Sequence, residues 1–275
     1  MLICCLPLLY AGAGAKNPKV LSVDKKAKQI PDSVTRNVTN LAQYIETNFT
    51  GDEDRVRAIY VWITNNIDYD AARLSSLSRI RQTIEQTLEL RRGVCADYAT
   101  LFNEMCRING IKTHYISGST RKKEKVSAIS HAWCCAFVAG KWQLYDPTWG
   151  AGTVNEEKKS FQRRFNNAYF QILPEQMIQS HMPFDYLWQL LENPVSAHNF
   201  LVGNIDPSKA THYFNYPDSI ALWEEQSRLE QLRGERYRIE RNGIDTPTIV
   251  ARLSYLRKAI DAEERKQHRR TSELP

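Results

Sequence analysis

Three short stretches of this 275-residue chain carry side chains that could do chemistry together: Arg92-Gly-Val-Cys-Ala-Asp-Tyr-Ala99, Ser130-His-Ala-Trp133 and Leu144-Tyr-Asp-Pro-Thr-Trp149. They supply Cys95, His131 and Asp146. Acyl transfer needs that set, because a thiolate attacks the carbonyl, an imidazole moves protons and a carboxylate orients the imidazole. Each residue type alone is common in cores and turns, so it is the joint occurrence at three element borders that carries the reading.

Those borders follow from the periodicity around them. Cys95 to Asn109 reads as a helix with Tyr98, Leu101, Phe102, Met105 and Ile108 on one side and Gly110 as its stop, which puts Cys95 in the first turn. A helix N-terminus presents free N–H groups and the positive end of the macrodipole, an environment that favours thiolate. Beyond Gly110 the pattern becomes strand-like over 111–117, 131–138 and 142–145, with 121–125 as a solvated loop. Upstream, 33–48 and the stretch after Thr50, capped by Asp52 or Asp54, read as amphipathic helices, and another helical segment runs from about Arg79 to Leu90.

Whether Asp146 can reach His131 depends on the turn between their strands. If Ala139-Gly140 is a two-residue loop, Trp133 lies opposite Asp146 and His131 is its diagonal neighbour on the same face, roughly 7 to 8 Å away along the backbone. If Lys141 joins the loop, Cys134 takes that place and His131 falls on the other face unless a bulge intervenes. The first register is preferred, although Ala fits less well than Asn or Asp before a turn glycine.

At this point the residues resemble the transglutaminase-like superfamily of papain-fold proteins. Gly93-Val-Cys95, His131-Ala-Trp133 and Asp146-Pro-Thr148 match its pattern in order, with Tyr98, Gly110-Ile111 and Trp142 at supporting positions. Arg57-Ala-Ile-Tyr-Val-Trp-Ile63 with Ile67-Asp-Tyr-Asp70 is similar to the usual lead into that core. Tyr169-Phe170, Pro174, His181-Met-Pro183 and Trp188-Gln-Leu-Leu191 look like the extension of the kyphoscoliosis-peptidase-like branch, so the resemblance covers roughly 35–200. It implies Cys95 as nucleophile, His131 as general base and acid, and Asp146 as the orienting carboxylate, acting on amide or acyl bonds. The Cys95 N–H is the default oxyanion donor, Tyr69 is a side-chain candidate, and Trp133 is a candidate wall of the site. Asp97 is a dipole partner that could tune the site. His114 and His212 are read as satisfied or exposed side chains instead of ligands, while His181, in the extension, could line the cleft, with packing the better reading. No cofactor or metal is expected, since neither CxxC pairs nor spaced acidic runs occur.

The expected architecture is α+β: a papain-like core with N-terminal helices, a catalytic helix on an antiparallel sheet, and a C-terminal helical hairpin. Its domains are 1–15 as a signal peptide, 16–32 as a mobile segment, 33–202 as the transglutaminase-like domain with its extension, and 203–275 as a charged helical region. The hairpin is broken at Asn242-Gly243 and seamed by Leu222, Leu229, Leu232, Ile249, Leu253, Leu256 and Ile260. Apolar Leu2–Tyr10 is too short to span a bilayer and precedes Ala11-Gly-Ala-Gly-Ala15, so an exported protein, periplasmic or extracellular, is expected, although no Lys or Arg precedes the apolar run. Neither Cys4 nor Cys5 has the small residue before it that lipidation signals carry. A net charge of +6, with Lys and Arg interleaved with Asp and Glu, does not indicate nucleic-acid binding. The expected partner is a protein or peptide substrate, cell-wall peptide among the candidates, with the C-terminal helices free for a further partner. The competing reading is a peptide-binding or scaffolding module without turnover.

Overall fold

The first helix forms where the sequence pattern is weakest. In the computed structural model, which describes residues 18–75, 81–155, 160–209, 212–243 and 246–272, Pro18–Ala27 is helix α1. Its support is tertiary: Val23 and Ala27 are buried, and Asp24 accepts two hydrogen bonds from Arg57, at 2.6 and 2.8 Å. A part-buried bidentate pair of this kind fixes a segment that hydrophobic periodicity alone would leave unassigned. The expected signal peptide lies outside the described residues.

Helix α2 (Val38–Asn48) starts where Asn37 accepts the Asn40 N–H, and it buries Val38, Leu41, Ala42 and Ile45. Helix α3 (Gly51–Asn66) begins after extended Thr50, so Asp52 and Asp54, expected as caps, sit inside its first turn. There they face the positive end of the dipole. The two-residue strand β1 (Asp68–Tyr69) follows, then the short helix α4 (Ala71–Ser75). Helix α5 (Ile84–Leu90) is capped by a reciprocal Thr83 and Gln86 box, which explains why it starts later than its apolar pattern suggests. Strand β2 (Arg92–Gly93) pairs in parallel with β1 and leads directly into α6 (Cys95–Ile108), which ends before Gly110 at φ 72°.

Strand β3 (Thr113–Lys122) starts two residues later and runs five residues further than expected, while β5 (His131–Val138) and β6 (Lys141–Tyr145) lie where alternation placed them. The expected loop at 121–125 is instead a hairpin, in which β4 (Lys125–Val126) pairs Arg121 with Val126 and Lys122 with Lys125, and Lys123 takes φ 55°. Helix α7 (Pro147–Ala151) follows β6, and β7 (Gly152–Asn155) pairs antiparallel with β8 (Ser160–Arg163). With β9 (Phe170–Ile172) and β10 (His181–Pro183), the main sheet has the order β10-β3-β5-β6-β9, with β4 beside β3. Helices α8 (Pro174–Met177) and α9 (Ala197–Val202) flank β10 in sequence. The fold is thus α+β, with helices before and after an antiparallel sheet.

Among its described residues, the C-terminal charged stretch holds three α-helices instead of two. Helix α10 (Tyr216–Glu225) ends before Ser227, whose capping box with Glu230 starts α11 (Arg228–Asn242), and α12 (Pro247–Ser272) follows. Leu222 therefore belongs to α10, where it is exposed, and leaves the hairpin seam. The other expected seam residues are buried together with Ile239.

Two compact units divide the chain. One holds the chain up to Thr113, Ala136–Lys141 and Tyr145–Gln171; the other holds His114–Cys135, Trp142–Leu144 and the chain from Ile172. The first is packed around Leu41, Ile45, Ile59, Ile63, Tyr98 and Phe102, all fully buried. The second has a core of Trp133, Leu144, Leu187 and Trp188 and the separate seam of the helical hairpin.

Candidate functional site

In the first unit, Cys95 is the first residue of α6 and is buried. That position comes from Gly93 and Val94, which leave β2 in extended backbone, and from the packing of Tyr98 and Phe102 further along the same helix. The Phe102 and Tyr145 ring centroids are 5.3 Å apart, which ties the helix to the end of β6. The Tyr98 hydroxyl donates to the Ile67 carbonyl at 2.5 Å. Asp97, at the third helical position, accepts the Val94 N–H at 2.7 Å and also binds Arg73.

Asp146 is fully buried just beyond β6. Its Oδ1 accepts the Thr148 and Trp149 N–H groups at 2.8 and 3.0 Å, so the carboxylate caps α7 as well as ending the strand. Its own N–H donates to the Tyr169 carbonyl at 3.0 Å, and its carbonyl accepts the Gly150 N–H. A buried carboxylate held by two backbone donors is fixed in orientation.

Tyr69 lies among these groups. Burial foremost, and then neighbouring Cys95, Asp146 and Asp97, push its hydroxyl well above the ordinary tyrosine range, with Arg73 opposing. It is therefore a protonated donor at neutral pH. The structure thus brings Cys95, Asp146, Asp97 and Tyr69 into one electrostatic neighbourhood.

The second unit holds the imidazoles. His131 and Trp133 project from the same face of β5, as alternation requires, and their rings stack at 6.0 Å with an interplanar angle of 25°. His181, on β10, lies 5.5 Å from the His131 ring and meets Trp133 edge-on at 5.2 Å. All three are buried, and His181 Nδ1 is 2.7 Å from the Ser180 hydroxyl. The close approach of β10 depends on Gly118: a Cβ there would fall 2.1 Å from the Met182 carbonyl oxygen. His181 is the neighbour that sequence reasoning gave to packing. The available signal was His181-Met-Pro183, but only pairing with β3 places it beside His131. His114 packs among Trp142, Trp188 and Trp223, with Glu224 at 3.6 Å.

The turn joining β5 and β6 has two residues, Ala139 at φ 53° and Gly140 at φ 77°. Two successive left-handed residues are the signature of a tight primed turn whose twist suits a hairpin. Lys141 is already in strand, so the three-residue alternative is removed.

The family model of the transglutaminase-like superfamily matches residues 39–147. The chain carries a transglutaminase-like domain. The matched span includes Tyr69, Cys95, His131, Trp133 and Asp146, while His181 lies beyond it. Mouse kyphoscoliosis peptidase is 31% identical over 186 residues, covering 65% of this chain and 28% of that protein. Hillarin from Drosophila melanogaster is 24% identical over 202 residues, covering 65% of this chain and 24% of that protein. The chain therefore spans about a quarter of the length of these relatives. Among solved structures, the periplasmic domain of TgpA from Pseudomonas aeruginosa aligns at a TM-score of 0.35 and 18% identity, covering 50% of this chain and 49% of that one. No helix among the described residues is long and apolar enough to cross a membrane. The transglutaminase-like domain has the mixed helix and antiparallel-sheet arrangement expected of the papain-like fold.

Proposed function

We propose that this chain is a cysteine hydrolase or acyltransferase that acts on amide bonds of a protein or peptide through Cys95, His131 and Asp146. In this reading His131 takes the thiol proton, and the Cys95 sulfur attacks the substrate carbonyl carbon. The oxyanion that forms is met by the Cys95 N–H and the Tyr69 hydroxyl. Collapse breaks the C–N bond, His131 returns its proton to the departing amine, and a thioester remains on Cys95. Water resolves it to an acid, or a second amine resolves it to a new amide. Trp133 and the other buried aromatic residues exclude water from the reacting centre.

The observation that carries this reading is the two-residue turn at Ala139-Gly140. That turn is the one required by the register favoured from the sequence, in which Trp133 opposes Asp146 and His131 is its diagonal neighbour. Further support comes from Cys95 at the first position of α6 and from the fixed, buried carboxylate of Asp146.

Export belongs to the same reading and rests on the apolar run and small residues of 1–15. An exported enzyme would meet cell-wall peptides and envelope proteins, and the α11–α12 hairpin, with Tyr237 and Tyr255 exposed, offers a surface for a partner. The test is amine-donor incorporation and peptide release against a proteome, using protein from fractionated cells whose N-terminus is sequenced. We expect activity lost in Cys95→Ala and a mature start at Lys16. Equal activity in Cys95→Ala would refute the enzyme, and peptide binding without turnover would favour the scaffolding alternative.

A further inference from the structure

We propose that Arg73 is a positioning residue for Cys95, acting through Asp97, whose charge it offsets. The inference rests on the reading of Cys95 as the nucleophile. The start of α6 contains a conflict. Asp97 holds the loop before the helix by accepting the Val94 N–H at 2.7 Å, yet it places a buried carboxylate two residues from the thiol that must ionise. A negative neighbour disfavours a thiolate. Replacing Asp97 by an apolar residue would remove the repulsion but would also leave the Val94 N–H without its acceptor.

Arg73 resolves the conflict from a different segment. Its Nη2 donates to the same Asp97 oxygen at 2.7 Å, with the carboxylate side chain 5% exposed and the guanidinium 20% exposed. Both partners are thus largely shielded from solvent, at the first turn of the helix that Cys95 begins. Arg73 is held there by backbone: its N–H donates to Asp70 Oδ1 at 2.9 Å, and the Asp70 N–H donates to the Gly93 carbonyl at 2.9 Å. Gly93 in turn pairs with Tyr69 and closes tightly over Asp97, since a Cβ at Gly93 would fall 2.8 Å from the Asp97 Cβ. The segment from Tyr69 to Arg73 is therefore strapped to the loop that presents Cys95. Among the described residues, the charged and titratable groups around Tyr69 are Cys95, Asp146, Asp97 and Arg73, and Asp70 accepts the Arg73 N–H.

Nothing local in the sequence announces this pairing, because Arg73 and Asp97 are 24 residues apart and on separate elements.

The test is the rate of iodoacetamide alkylation at Cys95, resolved by peptide mass spectrometry on the full chain at one fixed, slightly acidic pH. Arg73→Gln is expected to slow the reaction about tenfold, the size of effect that one uncompensated neighbouring charge produces. Arg73→Lys, which keeps the charge, should stay within about threefold of the parent, and Arg73→Gln with Asp97→Asn should recover to the same range. A purely structural role would leave the double variant as slow as Arg73→Gln. Should Arg73→Gln not fold, Asp97→Asn alone decides: it keeps an acceptor for Val94 and removes the carboxylate charge while Arg73 keeps its own, so alkylation should be at least as fast as in the parent. Parent-like rates in Arg73→Gln, no recovery in the double variant, or slowed alkylation in Asp97→Asn would overturn the proposal. If parent Cys95 reacts no faster than Cys106, the triad reading fails on its own, while the ratio between variants still decides the role of Arg73.

Discussion

Asp146 combines two roles that different substitutions separate. Its Oδ1 caps α7 through two N–H groups, and the proposed mechanism also asks the carboxylate to orient His131. Asp146→Asn keeps a capping oxygen and removes the charge, so denaturant unfolding should change by less than about 1 kcal/mol while turnover falls by about three orders of magnitude. Asp146→Ala should lose the same activity and a further 1 to 2 kcal/mol, roughly, because the cap goes as well. Equal stability of the two variants would show that the cap is not worth what its geometry suggests. At this scale the element borders that carry Cys95, His131 and Asp146 were legible, because they are local properties of the chain. Arg73 and His181 were not, since their relevance comes from pairing with Asp97 and from the placement of β10 beside β3.

The elements that present these side chains depend on a few close approaches. Gly150, within α7, sits against Tyr60: a Cβ there would fall 1.9 Å from the Tyr60 hydroxyl oxygen. That hydroxyl donates to the Asn166 carbonyl at 3.0 Å, and the Asn166 N–H returns to the Gly150 carbonyl at 2.8 Å. Gly150→Ala must therefore shift α7 or Tyr60, costing on the order of 1 to 3 kcal/mol as overpacking does. Because Asp146 caps the same helix, turnover should fall as well, and thermal unfolding measured beside the rate will separate the two losses. Unchanged stability and rate would mean that the helix yields freely. Helix α6 and the β5–β6 hairpin were readable because each has a clean period and a glycine stop. The break at Ser227 was also readable, as a Ser-x-x-Glu box, but the charge-rich pattern on both sides masked it. Helix α1 was not, because its support is the ion pair with Arg57.

At the scale of the whole molecule, the proposed triad draws on three separate elements: the start of α6, the start of β5 and the end of β6. The α+β class and the run of helices around the sheet followed from pattern, whereas the interleaving of the units did not, since it depends on which segments of β3, β5 and β6 join each core. Four described cysteines provide an internal control for the claim that these parts act together. Cys95, Cys106, Cys134 and Cys135 are all buried, and burial pushes the Cys106 and Cys135 thiols well above their ordinary range. The most direct measurement is site-resolved iodoacetamide alkylation of the full chain at about pH 6, where ordinary thiols are protonated, in the parent and in His131→Ala. The account predicts labelling of Cys95 far ahead of the other three, falling at least about tenfold when His131 is removed. Equal labelling of all four, or Cys95 labelling unchanged in His131→Ala, would contradict it.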